Sequence, residues 1–274
     1  MIVARVRAAL LLLAMVSAFP LFAAIGADVT VPVGGYVLAP NDLIYRTELT
    51  VTNHRDVTQY LQMEVVRDGT SSVYAVVPLE PRETRFFDHG LLSSAANSKV
   101  SIIGALRFTT LKSFDFHDDD HPFDPEGKIE VHAFIVADRG RLGQNGSTRQ
   151  EMAGIPSSEY FAREAVFVGV EHGIRHYTNV GITNLHPTQT VTFFVEFQYH
   201  TPVPVVVPPM TLVQMRVSQV PQGGRSVRVY PEWSLLDDTS DRATPWVAYA
   251  STVNKVTGDA FTGTRVPAGI TYEP

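Results

Sequence analysis

Cysteine is absent from the 274-residue chain. Its absence excludes disulfides, thiolate catalysis and cysteine-ligated metal sites, so the folded state depends on its hydrophobic core. A basic excess is also missing, because 28 acidic residues outnumber 22 lysines and arginines and the net charge is −6. Without a basic excess the chain has little charge to neutralise a phosphate backbone, which argues against nucleic-acid binding.

Beyond the first 27 residues, the sequence has no apolar run of membrane-spanning length. Residues 1–27 are typical of a secretory signal peptide, because Arg5 and Arg7 precede an apolar stretch and small residues follow just before Asp28. The alternative is an uncleaved membrane anchor, and Pro20 argues against it. We therefore expect an exported protein that is periplasmic, displayed on the cell surface or secreted.

The chain carries one pattern of residues twice. Identical residues recur 131 positions apart, with Thr47, Thr52 and Asn53 matching Thr178, Thr183 and Asn184. Residues 61–65 then match 193–197, and 148–149 match 264–265, in the same order. Self-similarity over this length predicts two copies of one domain, at 28–156 and 157–274, with a junction at 157–163.

Within each copy the hydrophobic period is two. Residues 49–52 and 61–65 alternate apolar with polar side chains, which predicts strands with one buried face. Prolines in 204–209 favour an edge strand there. About seven short strands in roughly 115 residues are typical of a β-sandwich. The sequence therefore predicts an all-β fold of two tandem sandwiches.

The order of these segments resembles a family of exported bacterial proteins built from tandem immunoglobulin-like β-sandwich modules. Tyr-Thr-Asn-Val-Gly-Ile-Thr-Asn at 177–184 is similar to the strand that opens each module, and Ala-Tyr-Ala-Ser-Thr-Val-Asn-Lys-Val-Thr-Gly-Asp at 248–259 is similar to the segment that closes the second. Tyr177 and Lys255 depart from the family pattern, whereas the first copy keeps Arg46. The resemblance implies immunoglobulin-like modules and export, and it implies no catalytic residue.

The densest cluster of ligand-type side chains lies at 115–126. Its carboxylates could supply oxygen ligands for Ca²⁺, the candidates being Asp118, Asp119, Asp120, Asp124 and Glu126. His117 and His121 would instead favour a transition metal. The alternative is a solvated strand-connecting loop, which the sequence favours because the twelve-residue calcium-loop spacing and its glycine are missing. No other cofactor is predicted.

Other polar and aromatic residues have structural explanations. Asn53 and Asn184 follow matching strands, where an asparagine can close its own turn. Four aromatic residues of the second copy could form either a carbohydrate-binding platform or part of the core, and strand alternation favours the core. These residues are Tyr230, Trp233, Trp246 and Tyr249. The histidines are expected mainly in surface turns.

The known enzyme motifs are missing. The sequence has no nucleophile elbow, no His-Glu-x-x-His, no phosphate-binding glycine loop and no dinucleotide fingerprint. We therefore expect a non-enzymatic exported protein, a structural or binding module for a protein or glycan partner at the cell surface. The alternatives are a periplasmic fibre-assembly chaperone-like protein and a carbohydrate-binding accessory of a secreted hydrolase.

Overall fold

The computed structural model describes residues 24–39, 43–88, 101–114, 121–138, 147–171, 173–198, 200–217, 225–235, 244–254 and 260–265. These residues form eighteen strands and two short 3-10 turns, with no α-helix among them. The expectation of an all-β fold is therefore confirmed. Asp118, Asp119 and Asp120, three of the five predicted calcium ligands, lie outside the described residues.

The first nine strands come from residues 28–156, which we call the first half. They are β1 Asp28–Ala39, β2 Leu43–Asn53, β3 Gln59–Arg67, β4 Thr70–Leu79, β5 Thr84–Phe87, β6 Ile102–Leu111, β7 Ile129–Asp138, β8 Ser147–Ala153 and β9 Ile155–Pro156. The other nine come from the second half, residues 157–265. They are β10 Ala165–Val168, β11 His176–Asn184, β12 Val191–Phe197, β13 Val203–Val207, β14 Thr211–Val217, β15 Ser226–Pro231, β16 Trp246–Asn254, β17 Ala260–Thr262 and β18 Thr264–Arg265. The 3-10 turns are Ser157–Glu159 and Glu232–Leu235.

The first half is one antiparallel sheet in the order β4-β3-β6-β1-β2-β7-β8, with β5 added to β2 and β9 added to β1. Strand β1 joins the β4-β3-β6 part of the sheet to the β2-β7-β8 part. It pairs with β6 along its length, has a bulge between Val31 and Gly34, and pairs with β2 beyond that bulge. Leu61 on β3 and Val131 on β7 lie far apart in this order, yet both are buried in one core. The sheet therefore folds over itself around that core.

The second half has two antiparallel sheets, β13-β12-β15-β10-β18 and β14-β11-β16-β17. Both contribute to one hydrophobic core, where the rings of Phe193 on β12 and Trp246 on β16 have centroids 5.2 Å apart. The chain passes from one sheet to the other at Gly263. The strand before it, β17, pairs with β16, and the strand after it, β18, pairs with β10. Two sheets that face a shared core form a sandwich-like layer structure.

The pairings of the two halves correspond strand by strand. In the first half β2 pairs with β5 and β7, β3 with β4 and β6, β1 with β6, and β7 with β8. In the second half β11 pairs with β14 and β16, β12 with β13 and β15, β10 with β15, and β16 with β17. The β1–β2 pairing has no counterpart among the described strands. Among the described residues each half has nine strands, which is more than the seven expected. Some of these strands are short, such as β9 and β18, which have two residues each.

Local patterns agree with the sequence expectations. Residues of β3 and β12 alternate between buried and half-buried positions, as a period of two predicts. Strand β13, which contains Pro204, lies at the edge of its sheet, where a missing N–H donor is tolerated. No helix in the described part of the chain has the length and hydrophobicity that a membrane crossing needs.

The two matching asparagines close equivalent turns. Asn53 is fully buried, donates from Nδ2 to three backbone carbonyls at 2.9–3.1 Å, and accepts the N–H of Arg55 at 2.8 Å. Asn184, also fully buried, donates to two carbonyls at 2.7 and 3.1 Å and accepts the N–H of His186 at 2.9 Å. The structural interpretation of both residues is confirmed.

Candidate functional site: the pocket between the two halves

The junction at 157–163 is packed against the first half. Tyr160 is buried, and its hydroxyl donates to Asp28 Oδ1 at 2.9 Å and lies 2.6 Å from Thr30 Oγ1. Arg107 donates two hydrogen bonds to the same Asp28 carboxylate, at 3.0 and 2.6 Å. Burial raises the pKa of Tyr160, so its hydroxyl stays neutral and can donate.

Apolar contacts continue this interface. A buried cluster combines side chains of both halves, namely Val66, Ala105, Ile155, Tyr160, Leu185 and Val247. Tyr249 of β16 is buried in the core of the first half. A Cβ at Gly181 would lie 2.0 Å from the Tyr249 ring, so the glycine leaves room for it. The two halves thus share a common interior.

The strands β8 and β17 also meet across the interface. Gln150 on β8 donates to Ser251 Oγ at 2.8 Å and to Thr262 Oγ1 at 2.9 Å. Thr262 donates in turn to the backbone carbonyl of Glu151. These contacts brace one side of a space that the interface leaves open.

That space is a pocket of about 250 Å³. Its wall comes from β1, β2, β6, β7 and β8 of the first half and from β11, β14, β16 and β17 of the second. Apolar side chains such as Val33, Ile135 and Met152 form part of the wall. Tyr45 and Ile103, which are 39% and 42% exposed, place apolar surface where the pocket meets solvent.

Arg46 on β2 is the charged residue of the pocket wall. Its Nη1 lies 3.4 Å from Asp138 and its Nη2 lies 3.3 Å from Glu48. Arg149 also pairs with Glu48, so two carboxylates balance the charges of two arginines. The Arg46 Nε is buried and has no hydrogen-bond partner. Because this atom is out of reach of solvent, a ligand would contact the remainder of the side chain, which is 25% exposed.

Two tyrosines of the second half also line the pocket. Gln214 Nε2 donates to the Tyr249 hydroxyl at 2.7 Å, and burial raises the pKa of Tyr249, so the phenol stays neutral. The ring of Tyr177 lies under the guanidinium of Arg216, 3.7 Å from its centre, which fixes the orientation of the ring. The pocket therefore combines aromatic surface with neutral polar groups.

The predicted calcium ligands do not contribute to this pocket. Asp124 Oδ2 accepts from Arg55 Nη1 at 2.8 Å, and its Oδ1 accepts the N–H of Glu126 at 3.1 Å. Glu126 lies 3.7 Å from the same Arg55 guanidinium. Among the residues that the structure describes, no three carboxylates or histidines gather as metal ligands. The calcium site and the solvated loop that the sequence favours both stay untested, since the other three candidate ligands lie outside those residues.

The remaining candidates occupy structural positions. All four aromatic residues of the proposed alternative platform are buried, which confirms the core interpretation; they are Tyr230, Trp233, Trp246 and Tyr249. His54 bonds to Glu130 at 2.8 Å, and His186 Nδ1 accepts two N–H groups of its own turn. His121 packs against the Phe114 ring, while His117 lies outside the described residues.

Comparisons with known proteins add no family. No family model matches the chain, and no curated protein matches it. Among solved structures, one match is the M60 catalytic domain with the CBM51-1 and CBM51-2 domains of Clostridium perfringens ZmpB, at 8% identity. The match covers 82% of this chain and 34% of that chain, with a TM-score of 0.19. This chain therefore spans about a third of that protein's length, and a likeness this weak supports no functional argument.

Proposed function

We propose that the chain is an exported, non-enzymatic binding protein of two tandem immunoglobulin-like modules, whose inter-module pocket receives a cell-surface partner. The correspondence of strand pairings between the halves supports the tandem modules. One observation carries the binding role: the interface leaves open a pocket of about 250 Å³, on whose wall the side chain of Arg46 meets neutral polar side chains such as Asn179 and Gln214. Pockets with a few convergent polar groups are the usual location of binding sites.

The chemistry of the wall supports binding over catalysis. The described residues that line the pocket include no aspartate, glutamate, histidine or lysine. These residues are the commonest general acids and bases, and of the tyrosines on the wall, Tyr249 is kept neutral by burial and is hydrogen-bonded to Gln214. Ser251, a hydroxyl of the wall, exchanges hydrogen bonds with Gln150, so no base is placed to activate it.

The proposed export implies that a signal peptide is cleaved from the chain. Gly26 exchanges two backbone hydrogen bonds with Ile129, at 3.0 and 2.9 Å, and the carbonyl of Ala27 accepts the N–H of Thr110 at 2.9 Å. Cleavage directly after Ala27 would remove these bonds. We therefore place the proposed cleavage ahead of Gly26, a boundary that mass spectrometry of the mature chain would measure.

Retention of a partner by pocket variants tests the proposed function. Ala260 lies on the edge strand β17 and lines the pocket, so Ala260→Trp should fill it with little effect on the core. Val206, which is 60% exposed on edge strand β13, offers the matched control Val206→Trp. Immobilised wild-type and Val206→Trp proteins should retain one envelope component of the source cells that Ala260→Trp does not retain.

Two results would contradict the proposal. Equal retention by all three proteins would place binding outside the pocket. Turnover of an envelope substrate by the wild-type protein, abolished in Ala260→Trp, would instead make the pocket an active site. Thermal unfolding of each variant controls for loss of structure, since a pocket-filling change on an edge strand should leave the transition temperature within a few degrees.

A further inference from the structure

The geometry points to a neutral sugar as the ligand of the pocket, the terminal residue of a glycan. This inference rests on the proposed function and adds the chemical class of the partner. It follows from four properties of the pocket, namely its charge, its hydrogen-bonding groups, its apolar and aromatic surface, and its size.

The balanced charge of the pocket wall argues against an anionic ligand. Arg46 is the charged side chain on the wall, and its guanidinium is already paired with Glu48 and Asp138 at 3.3 and 3.4 Å. Arg149, 3.5 Å from Glu48, completes a group of two cations and two carboxylates. Among the residues that the structure describes, the local charge is therefore balanced, so neither an anion nor a cation gains a net attraction from them.

The polar groups of the wall suit hydroxyl groups. The side-chain amides of Asn179 and Gln214 can each donate and accept, and Gln214 already donates one hydrogen bond to Tyr249. Thr148 adds a hydroxyl with the same dual capacity, and the Arg46 guanidinium adds donors. A sugar hydroxyl both donates and accepts, so it can satisfy all of these groups. A purely apolar ligand would take the remaining donors and acceptors of these groups out of water without replacing their hydrogen bonds.

The apolar and aromatic part of the wall suits the other face of a sugar ring. Tyr45, Tyr177 and Tyr249 contribute ring surface, and Val37 and Ile135 contribute aliphatic surface. A pyranose presents C–H groups on its ring faces, and these pack on apolar and aromatic surface. The wall therefore matches a ligand that is polar around its rim and apolar on its faces.

Size selects one ring at a chain end. The volume of about 250 Å³ is below the roughly 300–1,000 Å³ of pockets for drug-sized ligands, and equals the liquid volume of about eight water molecules. One sugar ring is a suitable occupant, and a longer glycan would continue into solvent past the exposed Tyr45 and Ile103. A peptide would insert one side chain, and its backbone amides would need partners that an apolar rim does not offer.

Binding to defined sugars tests this inference. The probes are an array of immobilised glycans with different terminal residues, and free neutral hexoses and N-acetylhexosamines titrated by saturation-transfer NMR. Wild-type protein should bind glycans that share one neutral terminal sugar. Arg46→Lys keeps the charge that faces Glu48 and Asp138 but replaces the planar guanidinium of the pocket wall, so it should bind that sugar at least tenfold more weakly.

Matched variants make the test specific. Arg228 is likewise an arginine between two carboxylates, Glu164 and Glu196, but is not among the residues that line the pocket, so Arg228→Lys should bind as wild type. Ala260→Trp should abolish sugar binding and Val206→Trp should not. Absence of sugar binding by the wild-type protein at millimolar concentration, or equal binding by all variants, would overturn the inference.

Failure of the inference can be distinguished from failure of the proposed function. If no sugar binds but an envelope protein is retained by wild type and released by Ala260→Trp, the pocket binds a protein and the sugar inference is wrong. If neither sugars nor envelope components depend on the pocket, both proposals are wrong.

Discussion

Replacing Tyr160 with phenylalanine would test how strongly the two halves are joined. The Tyr160 hydroxyl donates to the Asp28 carboxylate at 2.9 Å and bonds to Thr30 Oγ1 at 2.6 Å, and all three residues are buried. Tyr160→Phe removes both hydrogen bonds but keeps the ring in its apolar cluster. The change therefore isolates the polar part of the junction.

The expected cost follows from the two bonds. A hydrogen bond to a charged group contributes about 1.5–3 kcal/mol and a neutral one about 0.5–1.5 kcal/mol, so Tyr160→Phe should destabilise the protein by about 2–4 kcal/mol. Arg107 still pairs with Asp28 after the change, which prevents a larger loss. With a urea m-value of about 3 kcal/mol/M, the unfolding midpoint should fall by roughly 1 M.

Urea unfolding followed by circular dichroism would measure this shift. Tyr74→Phe, on edge strand β4, is the matched control, because Tyr74 is only partly buried, and it should change the free energy of unfolding by less than about 0.5 kcal/mol. Equal midpoints for the two variants would refute the packing of the junction. A second transition in Tyr160→Phe alone would show that the halves separate once these bonds are lost.

Three further predictions concern the turns, the acidic side chains and the calcium candidates. Asn53→Ala and Asn184→Ala should each cost about 2–4 kcal/mol in urea unfolding, because buried carbonyls lose their donor; costs below 0.5 kcal/mol would contradict the structural role. Partial burial alone would raise the pKa of Glu130, but hydrogen bonds from His54 and His132 outweigh it and hold the pKa below the ordinary value of 4.5. This stabilisation is present at neutral pH and should be lost as pH falls below about 4.5, with a shallower loss in Glu130→Gln. Calorimetry should show no Ca²⁺ binding tighter than millimolar, since Arg55 already pairs with Asp124; tighter binding would establish the metal site.

The sequence patterns predict the strands because each depends on local chemistry. Residues 61–65 alternate apolar and polar side chains, and β3 buries every second one of them. Pro204 excludes a central strand, and β13 lies at an edge. Asn53 and Asn184 act within their own turns, so their roles can also be inferred from a short window of sequence.

The pocket could not be predicted because it depends on contacts between distant segments. Arg46, Gln150, Gln214 and Tyr249 come from four strands in both halves, and none belongs to a motif for ligand binding. The resemblance to exported modular proteins marks Arg46 only as a residue that the first copy shares with the family pattern. Tyr160 lies in the predicted junction, and no local pattern there indicates that it is buried against Asp28.

Site-specific photo-crosslinking on intact source cells would test the central claim, that the pocket receives a cell-surface partner. A photoreactive amino acid would replace Tyr45, which is 39% exposed at the pocket, or Val206, which is 60% exposed on edge strand β13. The proposed function predicts a discrete crosslinked product from position 45, lost when Ala260→Trp is added, and none from position 206. Identical products from both positions, or a product from position 45 that survives Ala260→Trp, would contradict it.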